Sequence, residues 1–287
     1  MPDISVIIVN YNTADLVSEC ITSVLKQQSV SLEVIIVDNA STDNSISIIE
    51  KNFPEVSLIK NKDNLGFGKA NNQASKLAHG RYLYLLNPDA ELTNKKDLKN
   101  LLTYMEDHPK IGLAGTPLIN NENINEGEPK YYYPDEQHLS IALPQLPGEI
   151  AWVIGASMMI ESMAYQQVSG FDEDYFLYGE EADLCLRMRK AGFTIGYYQN
   201  VRISHLGGGS ERKTDPYSLT LKKQRALQLF YRKHYEPKDI ARLKKKQLNR
   251  AQVRYRINQV LFLITRKEKY LRKQQHYLAI IESNKTD

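Results

Sequence analysis

Cysteine is nearly missing from this chain: two residues, Cys20 and Cys185, among 287. Two thiols cannot build a disulfide framework or a four-thiolate zinc site. Usage this sparse fits a reducing, intracellular setting. Long apolar runs are missing too. None approaches the ~18 residues that a bilayer crossing needs, and the longest in the tail is Val260-Leu261-Phe262-Leu263-Ile264. An integral membrane protein is therefore not expected. The first nine residues carry no basic start and no cleavage site, and Ile4 to Val9 is a strand-length run, which reads against a signal peptide. There is no internal repeat and no low-complexity segment. With 42% hydrophobic and 25% charged residues, the composition excludes a disordered or collagenous chain. The expected location is the cytoplasm.

Acids are scarce in one place only. The whole chain holds 37 Lys and Arg against 34 Asp and Glu. From Lys238 to the end, 14 bases face four acids, leaving 23 bases and 30 acids for the rest. An acidic body with a basic tail points the tail toward an anionic surface, lipid headgroups or nucleic acid, or else marks an ordinary solvated helix.

The first half alternates short β-branched runs with helical stretches. Ile4–Val9 and Leu32–Val37 read as buried strands, Val56–Lys60 as a short one, and Tyr82–Leu86 and Ile111–Ala114 as two more. Helices are expected over Ala14–Gln27, from the Asp43 turn to about Asn52, over Lys69–Ala78, and over about 95–107. Strands separated by single helices imply right-handed βαβ units and a mostly parallel sheet. From Pro117 to Glu149 the regularity fails, as in a lid, a binding loop or a disordered segment. Order returns at Trp152 with an apolar run to Ile160, a helix from near Glu181, and late strands at Thr194–Tyr198 and Val201–Ser204. Beyond Pro216 everything reads as helix, one segment to His234 and a long basic one from Pro237 to about Ile281.

In open α/β sheets, ligands sit outside the carboxyl ends of the strands. Those ends carry Asn10-Tyr11-Asn12, Asp38-Asn39 and Asn87-Pro88-Asp89. Any one such turn is explained by turn-forming residues; three at the same edge point to a nucleotide. Gly66-Phe67-Gly68-Lys69-Ala70-Asn71 nearly matches a dinucleotide fingerprint, but Asn71 replaces the last glycine and a polar stretch separates it from its strand. An NAD enzyme is not expected. Asp89 follows a buried strand and a proline. One carboxylate holds a hard cation when substrate phosphates supply the other oxygens. His205, before Gly207-Gly208-Gly209-Ser210, offers a nitrogen ligand or a phosphate contact, with the glycines opening backbone N–H groups to an anion. Glu180-Glu181-Ala182-Asp183 is the densest acidic cluster of the body. It suits a helix N-terminus and equally a general base, since neighbouring carboxylates raise one another's pKa.

Taken in order, these residues resemble the family 2 inverting glycosyltransferases of GT-A fold, most closely the rhamnosyltransferase-like subgroup. The pattern runs from Ser5–Asn12 through Val37–Asp43, Asn64–Gly68 with Asn71, Leu86–Ala90, Gly155-Ala156 and Gly170–Glu173. It ends with Asp183-Leu184-Cys185-Leu186-Arg187 and His205. The resemblance implies a GT-A catalytic domain over 1–215, with a nucleotide-sugar half to about 115 and an acceptor half from 116, followed by a helical, basic extension over 216–287. It implies that Asp38 and Asn39 meet the nucleobase side, that Asn10, Tyr11 and Asn12 flank the nucleoside, and that Gly66, Asn71 and Asn87 line the donor pocket. Asp89 becomes the metal carboxylate of the family's Asp-x-Asp motif, whose first acid is Asn87 here, with His205 beside it and Mg²⁺ or Mn²⁺ as the ion. Glu181 takes the place of the family's base, one methylene longer than the usual Asp, with Glu180 as its competitor. Trp152, Gly155, Ala156 and Asp183 fall to the acceptor.

The implied reaction moves a sugar, rhamnose from dTDP-rhamnose or else the sugar of a UDP donor, to a hydroxyl of a glycan or lipid-linked acceptor in surface polysaccharide synthesis. A nucleotidyltransferase would need a glycine-rich basic loop after the first strand, which Asn10–Thr13 is not. A catalytically inactive nucleotide-sugar-binding or scaffold protein stays open as the alternative. For the tail, apolar positions from Val253 to Ile281 recur at helical spacing between basic residues. Contact with an anionic membrane and homodimer formation both stay open; no nucleic-acid module is recognisable.

Overall fold

The computed structural model describes residues 1–120, 125, 127–207 and 214–285. By its internal contacts the chain divides into a unit of Met1–Tyr133, Gln145–Phe176 and Glu180–Ser210 and a unit of Pro134–Pro144, Leu177–Gly179 and Glu211–Asp287.

The first unit is an α/β layer structure. Strand β1 (Ile4–Asn10) pairs in parallel with β2 (Leu32–Asp38) and β4 (Tyr82–Leu86), and β2 pairs in parallel with β3 (Ser57–Lys60). Beyond β4 come β8 (Ser157–Glu161), β6 (Ile111–Gly115) and β9 (Thr194–Tyr197), giving the order β3-β2-β1-β4-β8-β6-β9. Strand β8 runs antiparallel to both neighbours, so the sheet is mostly but not wholly parallel. A second sheet joins β5 (Ala90–Leu92), β10 (Ile203–His205) and β7 (Leu118–Ile119) in the order β5-β10-β7.

Period-2 alternation sorts the core into two layers. From β1, Ile4, Val6 and Ile8 face one side, where α1 (Val17–Leu25) and α4 (Asp97–Asp107) supply Ile21, Val24, Leu98 and Leu101. Ile7 faces the other side, with Ala70 and Ala74 of α3 (Phe67–Ser75) and Leu184 and Met188 of α6 (Glu180–Lys190). Each wholly buried aliphatic side chain contributes about 1.5–3 kcal/mol. Cys20 lies in the first layer and Cys185 in the second; both are free, and burial pushes both thiols up. Short helices α2 (Ser45–Asn52) and α5 (Ser162–Gln167) complete the unit.

The expected elements are present, with shifted ends. Helix α3 begins at Phe67 rather than Lys69, because Gly66 turns with a φ of 84° and frees the Phe67 N–H to donate to Phe176 O at 2.9 Å. The irregular stretch after Pro117 is partly ordered by Arg189, which donates to the carbonyls of Leu146, Pro147 and Gly148.

The second unit holds α7 (Pro216–His234), α8 (Pro237–Thr265) and α9 (Glu268–Ser283). Proline at the first turn starts both α7 and α8, where its missing N–H is not needed. The basic stretch expected as one helix is two, broken at Arg266 with a left-handed φ of 54°. Segment 134–144 is tied in by Ser140, whose N–H and hydroxyl donate to Asp239 at 2.9 and 2.8 Å, and by Tyr235, whose hydroxyl donates to Pro134 O at 2.6 Å. Among the described residues, no helix is long and apolar enough to cross a membrane.

Candidate active site

Parallel pairing in register puts Asn10 beside Asp38 at the carboxyl edge of the sheet. Asn10 Nδ2 donates to Asp38 Oδ2 at 2.7 Å and to Ser41 Oγ at 3.1 Å, and the Ser41 N–H donates to Asp38 Oδ1 at 2.9 Å. Asn10 and Asp38 are fully buried, so they set the shape of this edge. Tyr11 is partly exposed just outside it. Asn12 has a left-handed φ of 53°, a conformation asparagine tolerates, and its Oδ1 accepts from the Thr42 N–H at 2.7 Å. The turns after β1 and β2 are thus one hydrogen-bonded unit.

Asn39 extends that unit. Its Nδ2 donates to Asn64 Oδ1 at 2.9 Å and to Gly66 O at 3.2 Å, while its Oδ1 accepts from the Leu65 N–H at 3.0 Å. Gly66 is required where it stands: a Cβ there would sit 2.4 Å from Phe176 O. Asn71 is buried and its Nδ2 turns back to Phe67 O of its own helix at 2.9 Å. Its neighbour Asn72, which the motif reading passed over, makes the longer connection. Asn72 Oδ1 accepts from Tyr165 OH at 2.7 Å and from the Phe171 N–H at 2.9 Å, and its Nδ2 donates to Phe171 O at 2.8 Å.

The turn after β4 is fixed from both sides. The Asn87 N–H donates to Ala156 O at 3.0 Å, and the Leu206 N–H donates to Asp89 O at 3.1 Å. Strand β5 starts at Ala90 and pairs antiparallel with β10, setting His205 opposite Ala90. This brings together two residues far apart in sequence: His205 Nε2 lies 3.5 Å from Asp89 Oδ1. Both are largely buried, and among the described residues neither ring nitrogen of His205 has a hydrogen-bond partner. A buried imidazole beside a carboxylate is a donor set that suits a divalent cation. Of the glycine run after His205, residues 208–210 lie outside the described residues.

Because β8 runs antiparallel, its first residue Ser157 pairs with Leu86, and Gly155-Ala156 lies at the same edge as Asn87. On the other side of that segment stands α6: a Cβ at Gly155 would be 3.7 Å from the Cβ of Glu181. Helix α6 opens with Glu180, Glu181 and Asp183 in its first turn, where the helix dipole favours acids. The three differ. Glu180 is 5% exposed, and burial, then the Glu181 and Asp183 carboxylates, hold its carboxyl well above the ordinary glutamate value. Glu181 is half-buried. Asp183 is buried and pairs with Arg187 at 2.7 Å, and Arg187 also donates to Val168 O and Gly170 O. Asp183 and Arg187 therefore lock α6 to the Gly170 turn. Trp152 Nε1 donates to Tyr132 O at 3.1 Å, and the Lys130 N–H donates to Trp152 O at 2.9 Å. A polar crevice of about 450 Å³ between α1 and residues 91–95 is lined by none of these edge residues.

A mostly parallel sheet with an antiparallel β8, flanked by helices, is the fold of the GT-A glycosyltransferases. The chain matches Glycosyl transferase family 2 over residues 5–172, more than half its length, and it belongs to that family. Hexosyltransferase Agl10 of low-salt glycan biosynthesis in Haloferax volcanii is 26% identical over 215 residues, covering 71% of this chain and 67% of that protein. An N-acetylglucosaminyl-diphospho-decaprenol L-rhamnosyltransferase of Mycobacterium tuberculosis is 24% identical over 237 residues, covering 70% and 75%. Among solved structures, the mannosyltransferase PcManGT from Pyrobaculum calidifontis, in complex with GDP-Man and Mn²⁺, shares the fold. Its TM-score is 0.61 at 16% identity, covering 99% of this chain and 86% of that one.

Proposed function

We propose that the chain transfers a sugar from a nucleotide-sugar donor to an acceptor hydroxyl with inversion, in glycan synthesis. One observation carries this reading: Gly155-Ala156 touches both the Asn87–Asp89 turn and the acidic first turn of α6. A donor diphosphate at the first and an acceptor hydroxyl at the second would face each other across a backbone with no bulky side chain.

An acceptor hydroxyl is a very weak acid, so a carboxylate must take its proton as the new bond forms. Glu181 has that role. It is more exposed than Glu180, whose enclosed carboxyl is a poor carrier of negative charge. Asp38, Asn39, Asn10, Tyr11 and Asn12 bind the nucleoside end of the donor, with Gly66, Asn71 and Asn87 around it. Asp89 and His205 would hold Mg²⁺ or Mn²⁺. Among the described residues no three His, Cys, Asp or Glu side chains gather for a metal, which leaves the remaining positions to diphosphate oxygens and water. When bound, such an ion neutralises charge on the departing diphosphate. Trp152, Gly155 and Ala156 meet the acceptor, and Asp183 keeps α6 in place for it. Attack opposite the leaving group needs no enzyme nucleophile.

The donor is dTDP-rhamnose, the acceptor a glycan or lipid-linked sugar; the rhamnosyltransferase named above, which resembles this chain over most of its length, supports that choice. A donor panel of dTDP-, UDP- and GDP-sugars tests it by ligand-dependent thermal shift, with and without Mn²⁺, since a ligand of the folded state raises Tm. The reading expects the largest shift with dTDP-rhamnose and Mn²⁺. No shift with any donor would overturn it.

A further inference from the structure

Helix α8 carries an apolar stripe that its own unit does not use. At 100° per residue, Val253, Ile257, Val260 and Ile264 fall within about 60° of arc. They are 58%, 46%, 54% and 73% exposed. The opposite side carries Ala251 and Asn258, which are buried. That side faces α9: Gln274 Nε2 donates to Asn258 O at 3.2 Å. The seam that builds the helical unit and the exposed stripe are therefore different faces of one helix.

The charges follow the stripe. Arg250 and Arg256 stand about 60° to either side of it, and Lys246 continues its line toward the helix start; all three are exposed. Leu263 and Leu271 add exposed apolar surface near the α8–α9 turn, at 63% and 39%. From Ala241 to Lys273 the chain has twelve Lys and Arg and one acid, Glu268, which is paired with Arg272 at 3.1 Å.

We propose that this face of α8 docks on an anionic lipid bilayer surface, lying in the plane of the interface. The aliphatic stripe enters the headgroup–acyl boundary while Lys246, Arg250 and Arg256 meet lipid phosphates, the arrangement by which a cationic amphipathic helix binds membranes. Two other occupants fit the same residues less well. A two-fold contact with a second copy sets the stripe against itself and brings the same basic flanks of both copies together with almost no acid to pair them. A nucleic-acid backbone satisfies the cations but offers no hydrocarbon to four exposed aliphatic side chains.

The test is co-sedimentation of the full chain with vesicles, independent of any transferase assay. Vesicles of phosphatidylcholine mixed with phosphatidylglycerol should pellet the protein, pure phosphatidylcholine should not, and salt should weaken the binding. Val260→Glu with Ile264→Glu alters only exposed positions and should lower partitioning about tenfold or more. Arg250→Gln with Arg256→Gln should lower it on the order of 30-fold, since two headgroup contacts are lost. Three results would each overturn the proposal: no binding to anionic vesicles, equal binding to neutral ones, or a Glu double variant that pellets like wild type. A wild-type dimer that the Glu variant turns into monomer, with no vesicle binding, would assign the face to a second copy instead.

Discussion

Replacing Glu181 by Gln separates proton acceptance from everything else that residue does. Gln keeps the length and shape of the side chain, and Glu181 sits half-buried on the first turn of α6 against Gly155. The fold anchors of that turn are Asp183 and Arg187, which the substitution leaves alone. Stability and donor affinity should therefore change little. Turnover should fall by about 10²–10⁴-fold, the usual cost of losing a general base, equivalent to about 2.7–5.4 kcal/mol in the barrier. The assay is release of nucleoside diphosphate with acceptor present, run beside donor binding by calorimetry. Glu180→Gln is the matched control, because it changes the neighbouring, enclosed acid. If Glu181→Gln keeps wild-type turnover while Glu180→Gln loses it, the base is the buried residue and the assignment made from exposure fails.

Asp89→Ala should abolish the Mn²⁺-dependent part of donor affinity, and EDTA should do the same to wild type; a wild-type activity indifferent to EDTA removes Asp89 from a metal role. Glu180 also predicts a pH dependence of stability. Between the ordinary glutamate value of 4.5 and its raised folded value, the folded chain keeps a proton that the unfolded chain has released, so stability falls as pH rises through that window. Glu180→Gln should therefore gain in Tm over wild type as pH rises above the ordinary glutamate range, with the gap closing as pH falls back to it; parallel profiles would contradict it. Gly66→Ala puts a Cβ 2.4 Å from Phe176 O at a φ of 84°, and should cost about 2 kcal/mol or more in urea unfolding; an unchanged midpoint would show that this turn yields freely.

Much of this architecture is legible in the sequence, for local reasons. Buried β-branched runs such as Ile4–Val9 announce strands, and Asn, Asp and Pro at their ends mark the edge where the candidate site lies. Family resemblance added expected roles that spacing alone could not, favouring Glu181 as the base while leaving Glu180 in competition. What escaped was non-local. Strand β5 has three residues, too few for a periodic signal, so the sequence shows a strand at Val201–Ser204 but not its antiparallel pairing with β5, which brings His205 to Asp89. The antiparallel course of β8 has no signature of its own, because a buried strand looks alike in either direction. Asn72 and Arg189 read as ordinary polar helix residues; their importance lies in loop carbonyls and amides that only the fold brings near. The break at Arg266 also escaped, since helical periodicity continues on both sides and neither Gly nor Pro marks a left-handed residue there.

The central claim is a single displacement on a nucleotide sugar, and the anomeric configuration of the product reports it directly. NMR of product made from dTDP-rhamnose, or from whichever donor binds, should show the anomeric centre opposite to that of the donor. A product with retained configuration would contradict the account, because the proposed displacement uses Glu181 as a base and forms no covalent sugar–enzyme intermediate.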